Sequence, residues 1–196
     1  MLFQISKSKF GADIHRFPIH QAASKNNSNA IDVLLKSGVS VNTVDYPSGK
    51  TALHICVEQN FPDGVNVLLG DKEIDVDIKS TNGSTALSIL VENGHLEPLQ
   101  YLVQNGANVN TTRIDGKTPL HLAVENQTTT TLDTKNYKIC EYLLEQSAKV
   151  DCECIEGRTP LRYAASVGHF GIIKLLVDHG ADITVIPGLE KIIPFL

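Results

Sequence analysis

The sequence predicts an all-α solenoid, about five helix-turn-helix units in series joined by short β-hairpin turns, and three observations carry the prediction. A short phrase recurs as Phe17-Pro18-Ile19-His20, Thr51-Ala52-Leu53-His54, Thr85-Ala86-Leu87-Ser88, Thr118-Pro119-Leu120-His121 and Thr159-Pro160-Leu161-Arg162, at intervals of 34, 34, 33 and 41 residues. Two brief apolar stripes at helical spacing follow each copy. Glycine or asparagine breakers separate those stripes and end them.

Residues 83–110 display the logic of one unit. Gly83 supplies a turn where positive φ costs little, and Thr85 is placed to cap a first helix. Leu87, Leu90 and Val91 fall at i, i+3 and i+4. Asn93-Gly94-His95 breaks that helix, Leu99, Leu102 and Val103 stripe the second, and Gly106 ends it. Neither helix is long enough to be stable alone, so each unit must bury its stripe against its neighbours.

The other units repeat these columns. Leu53, Cys56 and Val57, then Leu120, Ala123 and Val124, then Leu161, Ala164 and Ala165 stripe the first helices. Leu34-Leu35, Leu68-Leu69, Leu143-Leu144 and Leu176-Val177 stripe the second. Pro119 and Pro160 stand at the first helical position, where the missing N–H costs nothing.

Departures mark special places. Phe17 replaces the capping threonine, and residues 1–16 read as the tail of a preceding repeat or a degenerate cap. Gly70-Asp71-Lys72-Glu73 replaces the usual helix ending and predicts a rearranged loop. The 41-residue interval holds eight extra residues, placed around Gln127–Thr134, whose β-branched polar run predicts a flexible loop. The apolar tail 185–196 has no repeat phrase; it either folds over the last unit or belongs to a longer array.

A period near 33 residues carrying Thr-Pro-Leu-His resembles the ankyrin repeat, and the resemblance covers residues 11–184. It implies repeats over 17–50, 51–84, 85–117, 118–158 and 159–184. The resemblance also implies that His20, His54 and His121 brace the turns by bonding neighbouring backbone, and that the chain binds other proteins. Equivalent positions in successive repeats lie ~10 Å apart, too far for one metal ion.

Composition narrows the classes further. A net charge of -5 over 196 residues, with no basic run, gives no footprint for nucleic acid. No apolar stretch reaches membrane-spanning length, and the start lacks a secretory signal, so no membrane insertion is expected within this chain. Four scattered cysteines at 56, 140, 152 and 154 fit reduced thiols in the cytoplasm or nucleus. Cys152-x-Cys154 on an extended arm would point its thiols to opposite faces, so zinc is not expected. No phosphate loop, nucleophile elbow or metalloprotease motif occurs, so the expectation is a non-enzyme without cofactor.

Ankyrin-like arrays bind through hairpin tips and the exposed face of the first helices, which line a concave groove. Carried onto this sequence, the helix face runs Ser24-Lys25, Glu58-Gln59, Glu92-Asn93, Glu125-Asn126 and Ser166-Val167. Either Glu58, Glu92 and Glu125 merely solvate their helix ends, or they form an acidic ladder. A glutamate near a helix C-terminus opposes the macrodipole, so three in register ask for another reason. The tips carry Tyr46 and Lys50, Thr81 and Ser84, Ile114 and Lys117, and Ile155 and Arg158, apolar contacts in a polar rim. The expected occupant is a protein partner presenting a basic or mixed peptide across repeats 2 to 5. The chain would then be a scaffold or adaptor. Alternatives are the cytosolic ankyrin portion of a larger membrane protein such as an ion channel, or an inhibitor that masks a transcription factor. Asn42 and Asn110, each eight residues past the second-helix leucine, match the site at which ankyrin repeats are hydroxylated by an iron-dependent asparaginyl hydroxylase.

Overall fold

Each threonine of the recurring phrase starts a helix because its side chain accepts a backbone N–H that the first turn leaves unpaired. In the computed structural model, which describes residues 18–125 and 134–189, Thr51, Thr85 and Thr159 cap in this way. The helices are α1 (Pro18–Ser24), α2 (Ser28–Lys36), α3 (Ala52–Glu58), α4 (Pro62–Leu69), α5 (Ala86–Glu92), α6 (Leu96–Gln104), α7 (Pro119–Glu125), α8 (Thr134–Glu145), α9 (Pro160–Val167) and α10 (Phe170–Asp178). A 3₁₀ turn, Ile183–Val185, follows.

The odd-numbered helices α1, α3, α5, α7 and α9 pack in file as one layer, and even-numbered partners stack behind them. One apolar seam runs between the layers. Ile19, Leu53, Leu87, Leu120 and Leu161 fill it from the first helices, and Ile31, Leu68, Leu102, Leu143 and Leu176 from the second. All ten are buried. Leu34 and Leu35 in α2 are only partly covered. The file is least tight between α4 and α6, where an apolar cleft of about 230 Å³ opens between Phe61 and Val65 on one side and Pro98 and Tyr101 on the other.

The expected β-hairpins are turns rather than strands. Among the described residues the ladder is reduced to one antiparallel bridge, Val44 with Thr51. What holds the hairpins is stacking from repeat to repeat: Thr81 N–H donates to Ser48 O, Ile114 N–H to Asn82 O and Ile155 N–H to Asp115 O. The glycine of the turn makes this approach possible. A Cβ on Gly83 would lie 2.6 Å from the Ile114 nitrogen, and its φ of +79° is one only glycine adopts freely.

The departures resolve differently. α4 ends at Leu69, and Lys72, which stands in the column of Gly38, Gly106 and Gly180, lacks their positive φ, so this loop is rearranged as expected. Thr134, placed in the inserted loop by sequence, instead begins α8. That helix is three residues longer than α6, so part of the insertion extends a helix. Residues 126–133, 1–17 and 190–196, with the loop, cap and tail expectations on them, lie outside the described residues. Up to Leu189 the C-terminal segment folds back: Leu189 is buried, and Ile183, Val185 and Ile186 pack on the core.

Candidate protein-binding groove

The histidine column is structural. His20 Nε2 donates to Lys50 O at 2.9 Å, His54 Nε2 to Ser84 O at 3.0 Å and His121 Nε2 to Arg158 O at 3.0 Å. In repeats 2 and 4 the opposite nitrogen, Nδ1, accepts the threonine N–H at 3.2 Å, so each ring ties its own helix start to the next hairpin. Both roles require the neutral ring, and burial holds His54 and His121 below the ordinary histidine value.

A second ladder runs along the hairpin arms. Asn42 donates to Glu73 O and accepts from Asp75 N–H; Asn110 donates to Ser147 O and accepts from Lys149 N–H. Asp77 and Asp151 occupy the same step in the alternate repeats and accept from Asn108 and Asp182. The two asparagines therefore have their amides engaged by the following repeat.

The tip column is exposed as expected at its apolar members: Tyr46 is 81% exposed, Ile114 72% and Ile155 76%. Thr81 is exposed, and its hydroxyl donates to Ser48 O. Ser84 is a correction. It is 3% exposed, because so short a side chain cannot clear the groove floor that lysine spans at the equivalent positions. Gln59 and Asn93 are exposed at the ends of α3 and α5. Asn126 lies outside the described residues.

The acidic ladder is also corrected. Lys50 Nζ contacts both carboxylate oxygens of Glu58 at 2.9 and 2.7 Å, and Lys117 Nζ those of Glu125 at 2.8 and 2.6 Å. Glu92 pairs with Arg113, from the hairpin that follows α6. The counter-charge that opposes the unfavourable helix-end placement is thus supplied by the hairpins, and the ladder is a set of ion pairs rather than a free anionic stripe. Each pair is partly exposed and contributes ~0.2–1 kcal/mol. At repeat 5 Ser166 stands in the glutamate position, and Arg158 turns to Glu156 at 3.4 Å.

Sequence reading missed two residues here. Arg113 has no counterpart in the tip column, and only its placement reveals its role. Tyr163 lies between Lys117 and Arg158, whose charged groups stand 5.3 and 5.6 Å from its ring centroid. The eight-residue spacing of Lys50 to Glu58 and Lys117 to Glu125, by contrast, was visible in the sequence.

Among the described residues no group of three histidine, cysteine or carboxylate side chains could hold a metal ion. Burial pushes the Cys56 and Cys140 thiols up to about 12. Among the same residues no helix is long and apolar enough to cross a membrane.

Comparison with known proteins agrees with this architecture. The chicken (Gallus gallus) nuclear factor NF-kappa-B p105 subunit is 30% identical over 118 residues, 59% of this chain and 12% of that protein. The mouse (Mus musculus) B-cell lymphoma 3 protein homolog is 29% identical over 118 residues, 58% of this chain and 26% of the relative. Human (Homo sapiens) transient receptor potential cation channel subfamily A member 1 is 32% identical over 111 residues, 57% and 10% respectively. The aligned stretch is therefore a small part of each relative. The family model for ankyrin repeats matches three times, at residues 2–80, 72–134 and 131–186, and the chain belongs to the ankyrin repeat family.

Proposed function

We propose that the concave face built by the hairpin tips and first helices of repeats 2 to 5 binds an extended segment of a partner protein, and that the chain acts as a scaffold or adaptor. The observation that carries this is the file of Tyr46, Ile114 and Ile155, large apolar side chains left in solvent beside rows of ion pairs. That is the anatomy of an interface, apolar anchors within a polar surround. Because the carboxylates are already paired, the groove suits a segment of mixed charge better than a purely basic one. A cytoplasmic or nuclear setting fits four unpaired cysteines. Similarity to the p105 subunit and to a cation channel keeps two further readings, an inhibitor masking a transcription factor and the cytosolic portion of a larger membrane protein. The hydroxylation of Asn42 and Asn110 likewise stands as a proposal for this chain.

The test is affinity capture with the full chain, repeated with a Tyr46→Ser, Ile114→Ser, Ile155→Ser variant and with Val33→Ser, an exposed residue on α2. Partners should be lost from the triple variant and kept by Val33→Ser, with circular dichroism unchanged in both. Capture unaffected by the triple variant would reject the groove.

A further inference from the structure

The stacked hairpins form a ladder with a direction. At each rung a carbonyl accepts from the next hairpin: Ser48 O from Thr81 N–H, Asn82 O from Ile114 N–H and Asp115 O from Ile155 N–H. A glycine follows each acceptor and clears the approach. A Cβ on Gly49, Gly83 or Gly116 would lie 3.1, 2.6 or 2.9 Å from the incoming nitrogen. The next rung, Glu156-Gly157, repeats this design with nothing stacked on it. Among the described residues Glu156 O accepts no hydrogen bond, and no atom lies within 4 Å of a Cβ on Gly157.

The segment that follows α10 does not supply the missing hairpin. Each hairpin closes through one N–H: Ser80 to Ser84 O, Arg113 to Lys117 O and Cys154 to Arg158 O. Pro187 stands in that column, seven residues after Gly180 as Arg113 is after Gly106, and it has no N–H to give. Residues 183–185 wind into the 3₁₀ turn instead, and Gly188, in the column of Ile114 and Ile155, makes no bond to Glu156 O. Beside the rung stands Arg162, in the column where His54 and His121 donate to the next hairpin. Its side chain is exposed, touches Gly157 O at 3.4 Å and enters no ion pair among the described residues. Arg158 and Glu156 pair with each other at 3.4 Å, so residues 156–162 keep one uncompensated positive charge.

We propose that this rung docks a turn of a partner protein, whose backbone N–H donates to Glu156 O and whose aspartate or glutamate pairs with the Arg162 guanidinium. The site does not depend on the groove reading. A guanidinium fork meets a carboxylate through two parallel hydrogen bonds, and the clear approach over Gly157 admits a backbone as the earlier rungs do. A basic or apolar turn would leave Arg162 without a counter-charge. A second copy fits less well, because Pro47 fills the donor column of the first described hairpin and cannot donate to Glu156 O.

Disulfide-constrained loops displayed on phage are selected on the full chain. Synthetic winners are then measured by fluorescence anisotropy against wild type, Arg162→Gln, Gly157→Asn and a Tyr46→Ser, Ile114→Ser variant. Asparagine tolerates the +66° φ of Gly157 while its side chain fills the approach. The expected result is an aspartate or glutamate fixed at one register. Binding should be about tenfold weaker to Arg162→Gln, as for one charge-assisted hydrogen bond, at least as weak to Gly157→Asn, and unchanged by the double serine variant. Should Gly157→Asn fail to fold, Arg162→Gln decides. Winners without a fixed acid, winners that ignore both ladder substitutions, or no winners overturn the inference. Winners lost only from the double serine variant overturn it too, and leave the groove reading standing. Sedimentation showing a dimer that Gly157→Asn abolishes would assign the rung to a second copy, and winners that bind tenfold tighter once residues 190–196 are removed would assign it to that tail. Either result refutes a partner turn.

Discussion

Removing the His121 ring by His121→Ala should uncouple repeat 5 from repeat 4. The ring is fully buried and makes three polar contacts: Thr118 N–H at 3.2 Å, the Thr118 hydroxyl at 2.8 Å and Arg158 O at 3.0 Å. Truncation leaves the buried Thr118 N–H unpaired at ~1–3 kcal/mol, and the part-buried Arg158 carbonyl near the lower end of that range. The edge-on contact with Tyr163, centroids 5.9 Å apart, adds about 1 kcal/mol. The total is about 3–5 kcal/mol. In a linear array that loss belongs to one interface, so it should not spread evenly. Hydrogen exchange along a urea series is the assay: amides of α9 and α10 should open before those of α3 and α5 in the variant. A loss under about 1 kcal/mol, or protection falling equally in all repeats, would refute the reasoning that this ring is an inter-repeat tie.

Acid should weaken the same ties. The folded-state values of His54 and His121 lie below the ordinary 6.5, so their contribution is complete above about that pH and is lost as pH falls through the folded values; urea midpoints that stay flat on acidification below that point would contradict this. Ser147 holds φ +64° where Gly38, Gly106 and Gly180 stand in other repeats, so Ser147→Gly should stabilise repeat 4 by about 1 kcal/mol, read as a higher urea midpoint. A thiol reagent should modify Cys152, the only cysteine of the four that is not buried, well before Cys56 and Cys140, as peptide mapping after a short pulse can show. If Asn42 or Asn110 is hydroxylated in cells, intact-mass and fragment spectra should place one added oxygen on it.

Much of the fold was legible because repetition multiplies a weak local signal. Threonine caps at four places, proline at the first helical position at three and the apolar stripes at five are each modest indicators, yet in phase they leave one arrangement. The His20, His54 and His121 column was legible for the same reason, once the family resemblance was recognised. Insertions were legible as lengths but not as shapes: Thr134 proved helical although its neighbours in sequence are poor helix formers.

The groove was legible only as columns of residues. Which charge meets which depends on side-chain reach across a turn or between repeats. Lys50 and Lys117 sit eight residues before their glutamates, while Glu92 finds Arg113 twenty-one residues away. Sequence periodicity determined the stacked helical pairs, since only stacking buries so short a stripe. Tertiary structure alone decided that the glutamates are neutralised and that Ser84 is buried. Those outcomes follow from distances between repeats, and local propensity carries no record of distance.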